Sequence, residues 1–232
     1  MRTLMLLTFL VVACPLAAEQ RDAAPLLDVI VTSGEAVLKR APDRAFITVT
    51  VETRAKNPRD AQRLNAEAMT AVQQRLTQAR VAREAVRTLG YDLQQEFDFT
   101  GGRRTPREFV ARNAVEVRVD DIARVGELLD VAVQGGATSI GGVRFDLQDR
   151  EKAEREALRL AVVDARTRAD AAAAGAGRSI DRVVKVEDAR EGPIVTMARP
   201  MLMEKAADAA QTPVEPGLVE IRARVTLTAA MK

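Results

Sequence analysis

The 232-residue chain contains no histidine and no tryptophan, one tyrosine and one cysteine, and aromatic residues make up only 3% of it. Each scarcity removes a class of function. With no histidine and with Cys14 alone, Ser-His-Asp and Cys-His arrangements cannot be assembled, nor can ordinary zinc sites. The side chain that most often moves protons near neutral pH is missing too. Only carboxylate, lysine or tyrosine chemistry stays open, the tyrosine being Tyr91. A single cysteine makes no intrachain disulfide, so stability must come from packing. Few aromatics leave little on which nucleic-acid bases could stack, and 35 Lys and Arg against 33 Asp and Glu give no excess of positive charge. No nucleic-acid partner is expected.

Long apolar runs are equally scarce. The one clear run, Leu4 to Ala13, follows Arg2 and precedes small residues in "MRTLMLLTFLVVACPLAAEQ", the pattern of a secretory signal peptide. At about ten residues it is far below the roughly 20 that a permanent membrane helix needs. Cleavage after Ala18 is the expected exit and releases residues 19–232 into the periplasm. The alternative is that "VVAC" serves as a lipobox, with Cys14 lipidated as the N-terminus of an outer-membrane lipoprotein. A membrane partner is expected only by that route. Pro15 after the cysteine and the short run favour the soluble exit.

What remains alternates cleanly. Residues 28–40 read as a strand with a bulge or kink at Gly34, and 45–55 as a second, with Ile47, Val49 and Val51 on one face. "APDRA" between them reads as a hairpin turn. Asn57 and Pro58 open a helix with the stripe Ala61, Leu64, Ala68, Val72 and Leu76. A strand through Leu93 and Phe99, a loop "TGGRRTPRE" and a strand "FVARNAVEVRVD" come next. Asp120 or Asp121 caps a helix carrying Ile122, Val125, Leu128, Leu129 and Ala132. In "GGATSIGGVRFDLQD" the glycines stop this helix and start a strand. A phosphate loop has the reverse order, strand into helix, so no nucleotide site is expected.

The longest helix spans about Asp149–Ala174 and places alanine at 153, 157, 161, 165, 169 and 173. That ridge suits close packing on a sheet or, alternatively, a subunit contact. A strand at 181–188 precedes residues 189–217, rich in Pro and Met, expected to be a mobile loop. The cleanest strand closes the chain, with Val219, Ile221, Ala223, Val225 and Leu227 on one face. The order ββαββαβαββ predicts an α+β fold, with antiparallel sheets and helices packed on one side of them. Residues 19–232 form one domain, with a first half at 28–120 and a second at 121–230.

The ordered set "VTSGEAVLKRAPDRAFITVTVETRA", "AREAVRTLGYDLQQEF", "GGATSIGGVRFDLQD", "REALRLAVVDARTRADAAAAGAG" and "TPVEPGLVEIRARVTLT" resembles the SIMPL-domain family, the YggE-like secreted or periplasmic bacterial proteins. The resemblance spans about residues 28–230. It departs at "EFVARN", where Glu108 and Phe109 stand in place of Gly-Tyr, a packing variant that keeps the aromatic bulk. It implies an envelope protein linked to oxidative or envelope stress defence, with homo-oligomer assembly and an envelope protein partner as expectations. The family carries no catalytic motif to transfer.

Function is therefore expected to lie in protein contact and self-assembly, without catalysis. The alternative is a periplasmic small-ligand carrier or sensor, its pocket between sheet and helices and its polar contacts from Arg112, Asn113 and Tyr91. Asp120–Asp121 is an adjacent carboxylate pair, but it stands where a helix begins and reads as a cap. Asp146 and Asp149 alternate with apolar strand residues or open a helix. No catalytic residue, cofactor site or metal site is assigned.

Overall fold

The computed structural model describes residues 28–189 and 212–232. The signal-peptide and Cys14 readings, and Met197, Met201 and Met203 of the Met/Pro stretch, lie outside the described residues. The element order is the expected ββαββαβαββ: β1 Val29–Arg40, β2 Arg44–Ala55, α1 Pro58–Gln78, β3 Val86–Thr100, β4 Arg103–Val119, α2 Val125–Gln134, β5 Ser139–Asp146, α3 Arg150–Gly175, β6 Ile180–Asp188 and β7 Val219–Met231. The strands form two antiparallel sheets, β3-β4-β2-β5 and β1-β7-β6.

β1 and β2 do not form a hairpin. β1 pairs with β7, from Val29↔Ala230 to Arg40↔Val219, whereas β2 lies between β4 and β5 in the other sheet. Residues 41–43 are a crossover between sheets. Asp43 bonds across the molecule and not locally: its amide donates to the Asp146 carbonyl at 3.2 Å, and its Oδ1 accepts from the Gln148 amide at 2.6 Å.

On the four-stranded sheet, Ala45, Ile47, Val49 and Val51 of β2 and Val115, Val117 and Val119 of β4 pack against Met69, Val72 and Leu76 of α1 and Val125, Leu128 and Leu129 of α2. Helix α1 starts as its sequence dictates, the Asn57 side chain accepting from the Asp60 amide at 2.9 Å and Pro58 taking the first helical position. Its buried stripe is Ala61, Asn65, Met69, Val72 and Leu76. The expected Leu64 is 38% exposed, because the stripe runs through a polar residue that apolar periodicity passes over. Asn65 is fully buried, and its Nδ2 donates to the carbonyls of Val51 and Ala111, both at 2.9 Å. It pins the helix across β2 and β4.

The three-stranded sheet is packed differently. All six alanines of the α3 ridge are buried, and those from Ala153 to Ala169 pack in clusters with Ile30, Ala36 and Leu38 of β1 and Ile221, Val225, Leu227 and Ala229 of β7. The ridge is thus an internal packing face and not a subunit contact. Successive steps of four residues leave an offset of about 40°, so the ridge winds along the helix, as a twisted sheet requires. Gly34 introduces no bulge, since the β1–β7 register is continuous. A Cβ there would overlap the Ala161 carbonyl oxygen and the Ala165 backbone, so glycine is what lets α3 lie on the strand. Thr32 Oγ1 donates to the Ala165 carbonyl at 2.9 Å beside that contact.

Residues 212–218 have no regular secondary structure, yet Thr212 donates to Asp130 at 2.7 Å and Val214 packs on the larger core.

Candidate functional site

Among the described residues, no group of three or more Cys, Asp or Glu side chains is placed to hold a metal ion. The three carrier candidates do not converge. Tyr91 and Asn113 are cross-strand partners and share a face. Arg112 points to the opposite face of β4, where its Nε donates to Glu52 at 2.6 Å. Tyr91 is exposed, and the Asn113 Oδ1 is buried with no hydrogen-bond partner, as is the Asn65 Oδ1.

An open groove of about 290 Å³ lies between the halves, lined in part by Arg40, Asp43, Leu147, Asp149, Lys152 and Glu156. Its charges serve the fold. Arg40 Nη2 bridges both Glu156 oxygens at 3.0 and 3.1 Å, Asp43 holds the Gln148 amide, and Asp149 caps α3 by accepting from the Lys152 amide at 2.9 Å. Its volume sits at the small end of ligand pockets. Of the paired carboxylates, Asp121 caps the turn before α2 through the Ala123 amide at 3.2 Å, as expected. Asp120 instead takes Arg44 at 2.6 Å and Arg118 at 3.2 Å. Desolvation raises its pKa, and the two guanidiniums outweigh this and hold the carboxyl below the usual range.

The helix-free face of the four-stranded sheet is a lattice of ion pairs. Glu52 accepts from Arg112 at 2.6 Å and Arg54 at 2.8 Å, and Arg54 continues to Glu96 at 2.6 Å. The Arg112 hydrogen bond, with Arg54 behind it and against partial desolvation, holds the Glu52 carboxyl low. Farther along, Glu116 joins Arg87 at 2.8 Å and Arg144 at 3.7 Å, and Asp146 takes Arg144 at 2.8 Å and Arg150 at 2.9 Å. The Arg144 guanidinium also lies 4.1 Å over the Phe46 ring. The interleaved signs leave no single-sign patch for an ionic substrate.

The edges of the sheets differ more. The outer edge of β1 is blocked at one amide, that of Glu35, which donates to Asp164 of α3 at 3.0 Å, while Val29, Val31 and Val37 of the strand are exposed. β6 is broken by two register shifts and carries Arg182, Lys185 and Glu187. β5 has eight residues, with Gly141 and Gly142 beside a bulge. β3 runs for 15 residues, with register shifts at Thr88/Gly90 and Gln95/Phe97 and unbroken register from Gly90 to Gln95 between them. Leu89, at the first shift, is 48% exposed, Tyr91 47% and Leu93 36%. A long edge with exposed apolar side chains is a template for another strand.

β3 and β4 also extend further than the sequence suggested. The expected loop at 100–108 is a tight hairpin, only Gly101 and Gly102 lying outside the strands, with φ of 59° and 77°. The Gly-Gly dipeptide between alternating residues is the signal that marks it. Pro106 masks that signal. Beyond Phe109, β4 has lost β2 and keeps β3 alone, the edge setting in which proline is tolerated.

Comparison with known proteins places these features in a family. Residues 30–229, from β1 through β7, match the family described as "SIMPL: Protein of unknown function (DUF541)". The 26 kDa periplasmic immunogenic protein of Brucella abortus strain S19 is 28% identical over 170 residues, 71% of this chain and 68% of that protein. The protein YggE of Escherichia coli K12 is 25% identical over 169 residues, 73% of this chain and 69% of that one. The chain belongs to the SIMPL family.

Proposed function

We propose that this chain is a non-enzymatic protein of the bacterial cell envelope that works by protein contact, assembling with copies of itself through the edge of β3. The observation that carries the reading is that edge: Leu89, Tyr91 and Leu93 stand exposed along it, while α3 takes up the Glu35 amide in the middle of β1, β5 is short, and β6 carries charged residues and two register shifts. Pairing two such edges would satisfy the open backbone groups of both strands and cover the apolar row. A chain without histidine and with a single cysteine has little with which to catalyse. The periplasmic name of the Brucella relatives and the leader-like start of the sequence support an envelope location. A part in oxidative or envelope stress defence belongs to this reading through the resemblance to other members.

Light scattering behind size exclusion tests it on residues 19–232. The expected mass is a multiple of the monomer, and the paired change Tyr91→Lys with Leu93→Lys, which puts charge on the edge, reduces it to one chain without lowering Tm. A parent protein that is strictly monomeric at micromolar concentration overturns the proposal.

A further inference from the structure

The outer third of the β3–β4 hairpin is used neither by the fold nor by the proposed edge. From Glu96 to Glu108 the two strands pair only with each other, because β2 ends opposite Phe109. Asp98, Phe99 and every residue from Gly101 to Glu108 are exposed. At about 3.3 Å per residue the ribbon reaches roughly 20 Å beyond the sheet.

Its chemistry is uneven across its faces. Phe99 lies opposite Arg104 and Phe97 opposite Pro106, so these four side chains share one face. Phe99 is 76% exposed, the most exposed large apolar side chain among the described residues. The Arg104 guanidinium stacks 3.6 Å from the Phe97 ring centre. The ribbon from Glu96 to Glu108 carries three arginines and three carboxylates, but Glu96 is held by Arg54 and Asp98 by Arg107, and no carboxylate lies between Phe99 and Arg107. Arg103 and Arg104 make no ion pair among the described residues, and Arg107 only reaches Asp98 at 3.4 Å. At the apex, two glycines offer no side chain to hold either face off a surface.

We propose that this tip docks on an anionic phospholipid bilayer. Phe99, with Phe97 behind it, enters the interfacial layer, where aromatic rings are favoured. Arg104, on the face of Phe99, and Arg103, next to the apex, hold lipid phosphates, for which the guanidinium fork is suited, while Arg107 lies on the opposite face against Asp98. The charge complementarity is local: the chain as a whole is nearly balanced, and its cations elsewhere on this sheet face carboxylates. The attachment does not depend on Cys14 or on self-assembly. It would give a soluble exported protein a weak, salt-sensitive hold on the membrane.

The absence of tryptophan makes a direct test available, since Phe99→Trp installs a lone indole at the contact. The described fold begins at Asp28, so a chain starting at Glu19 keeps all of it and lacks the apolar leader. Its emission is read against vesicles of mixed phosphatidylglycerol and phosphatidylcholine, and against phosphatidylcholine alone. The expected result is a blue shift on the anionic vesicles, absent on the neutral ones and reversed by high salt. Adding Arg103→Glu and Arg104→Glu, both exposed, weakens that binding by about tenfold or more while leaving Tm unchanged. No shift on anionic vesicles overturns the proposal, as does an equal shift in the Glu variant. A shift that follows protein concentration without lipid assigns the tip to a second copy of the chain and overturns it as well.

Discussion

The two sheets are covered by helices in opposite ways. On β1-β7-β6, the fully buried residues of α3 are all alanine, flanked by the partly buried Leu158, Leu160 and Val162, and helix and strand backbones meet at Gly34. On β3-β4-β2-β5, α1 and α2 present Met69, Val72, Leu76, Leu128 and Leu129 to a layer of branched strand residues. Alanine loses no side-chain entropy on burial but removes little surface from water. The α3 layer therefore depends on how closely two backbones approach and on the pins beside the contact, Thr32 to Ala165 and Glu35 to Asp164. The α1–α2 layer depends on filled volume. One interface is governed by distance and the other by shape, so they should fail to different substitutions.

The largest effect is expected at Gly34. Gly34→Leu drives a side chain into the Ala161 carbonyl and the Ala165 backbone, neither of which can move without lifting the helix. A loss of about 3 kcal/mol or more is expected in urea unfolding, at the upper end of overpacking costs. Gly90→Ala is the control: it sits in β3 with open space around its Cβ position and should change stability by less than about 0.5 kcal/mol. Equal effects at the two glycines would erase the distinction drawn between the layers.

In the volume-filled layer the counterpart is Leu76→Ala, which empties a site only 1% exposed and should cost about 2–4 kcal/mol. The same truncation finds no fully buried large side chain to remove on α3, where only the partly buried Leu158, Leu160 and Val162 stand beside the alanines. Amide exchange can sharpen the point. Leu76→Ala should speed exchange in β2 and β4 more than in β1 and β7, and Gly34→Leu should do the reverse.

Asn65→Ala should cost somewhat less, about 1–3 kcal/mol, by leaving the Val51 and Ala111 carbonyls without the Nδ2 they share. Urea midpoints at equal m-values would measure it. Asn65→Asp is a sharper probe, since it puts acceptors against both carbonyls and should be the worse of the two.

How much of this was legible follows from the range of each interaction. The caps at Asn57, Asp121 and Asp149, the alanine ridge and the two-faced β7 depend on residues close in sequence, and their pattern is written there. The partner of β1 is not, because alternation specifies a face and not a neighbour; the crossover at 41–43 reads like a turn until β7 supplies the other strand. Asn65 escapes for a related reason: a buried polar residue is explained only by the two carbonyls it reaches, one of them in β4. Of the candidate site, Tyr91 was visible as the lone tyrosine, but its edge depends on what fails to cover β3. The ribbon tip was signalled by Gly101-Gly102 and hidden by Pro106, whose tolerance depends on where β2 stops.

The smallest predicted effect divides the sheets by charge. Glu52, Asp120, Glu127 and Asp146, all in or beside the four-stranded sheet, are held below the usual carboxylate range, while beside the three-stranded sheet Glu220 is so held, by Arg222 and Lys39. At Asp146 desolvation opposes the shift, but the Leu147 amide and the Arg150 and Arg144 guanidiniums prevail around a side chain 15% exposed. A folded-state pKa below the unfolded value means the folded chain binds fewer protons. The stability this confers is complete above the ordinary carboxylate range, near pH 4, and is lost as pH falls through the depressed values. Melting temperature should therefore fall below about pH 4, and Asp146→Asn should lower it at pH 7 and flatten the acid limb, whereas Glu220→Gln should do neither measurably. Between pH 5 and 8 the curve should be nearly flat, because a chain without histidine has no side chain that ordinarily titrates there. A steep slope in that window would require a carboxylate, lysine or tyrosine whose pKa is strongly shifted.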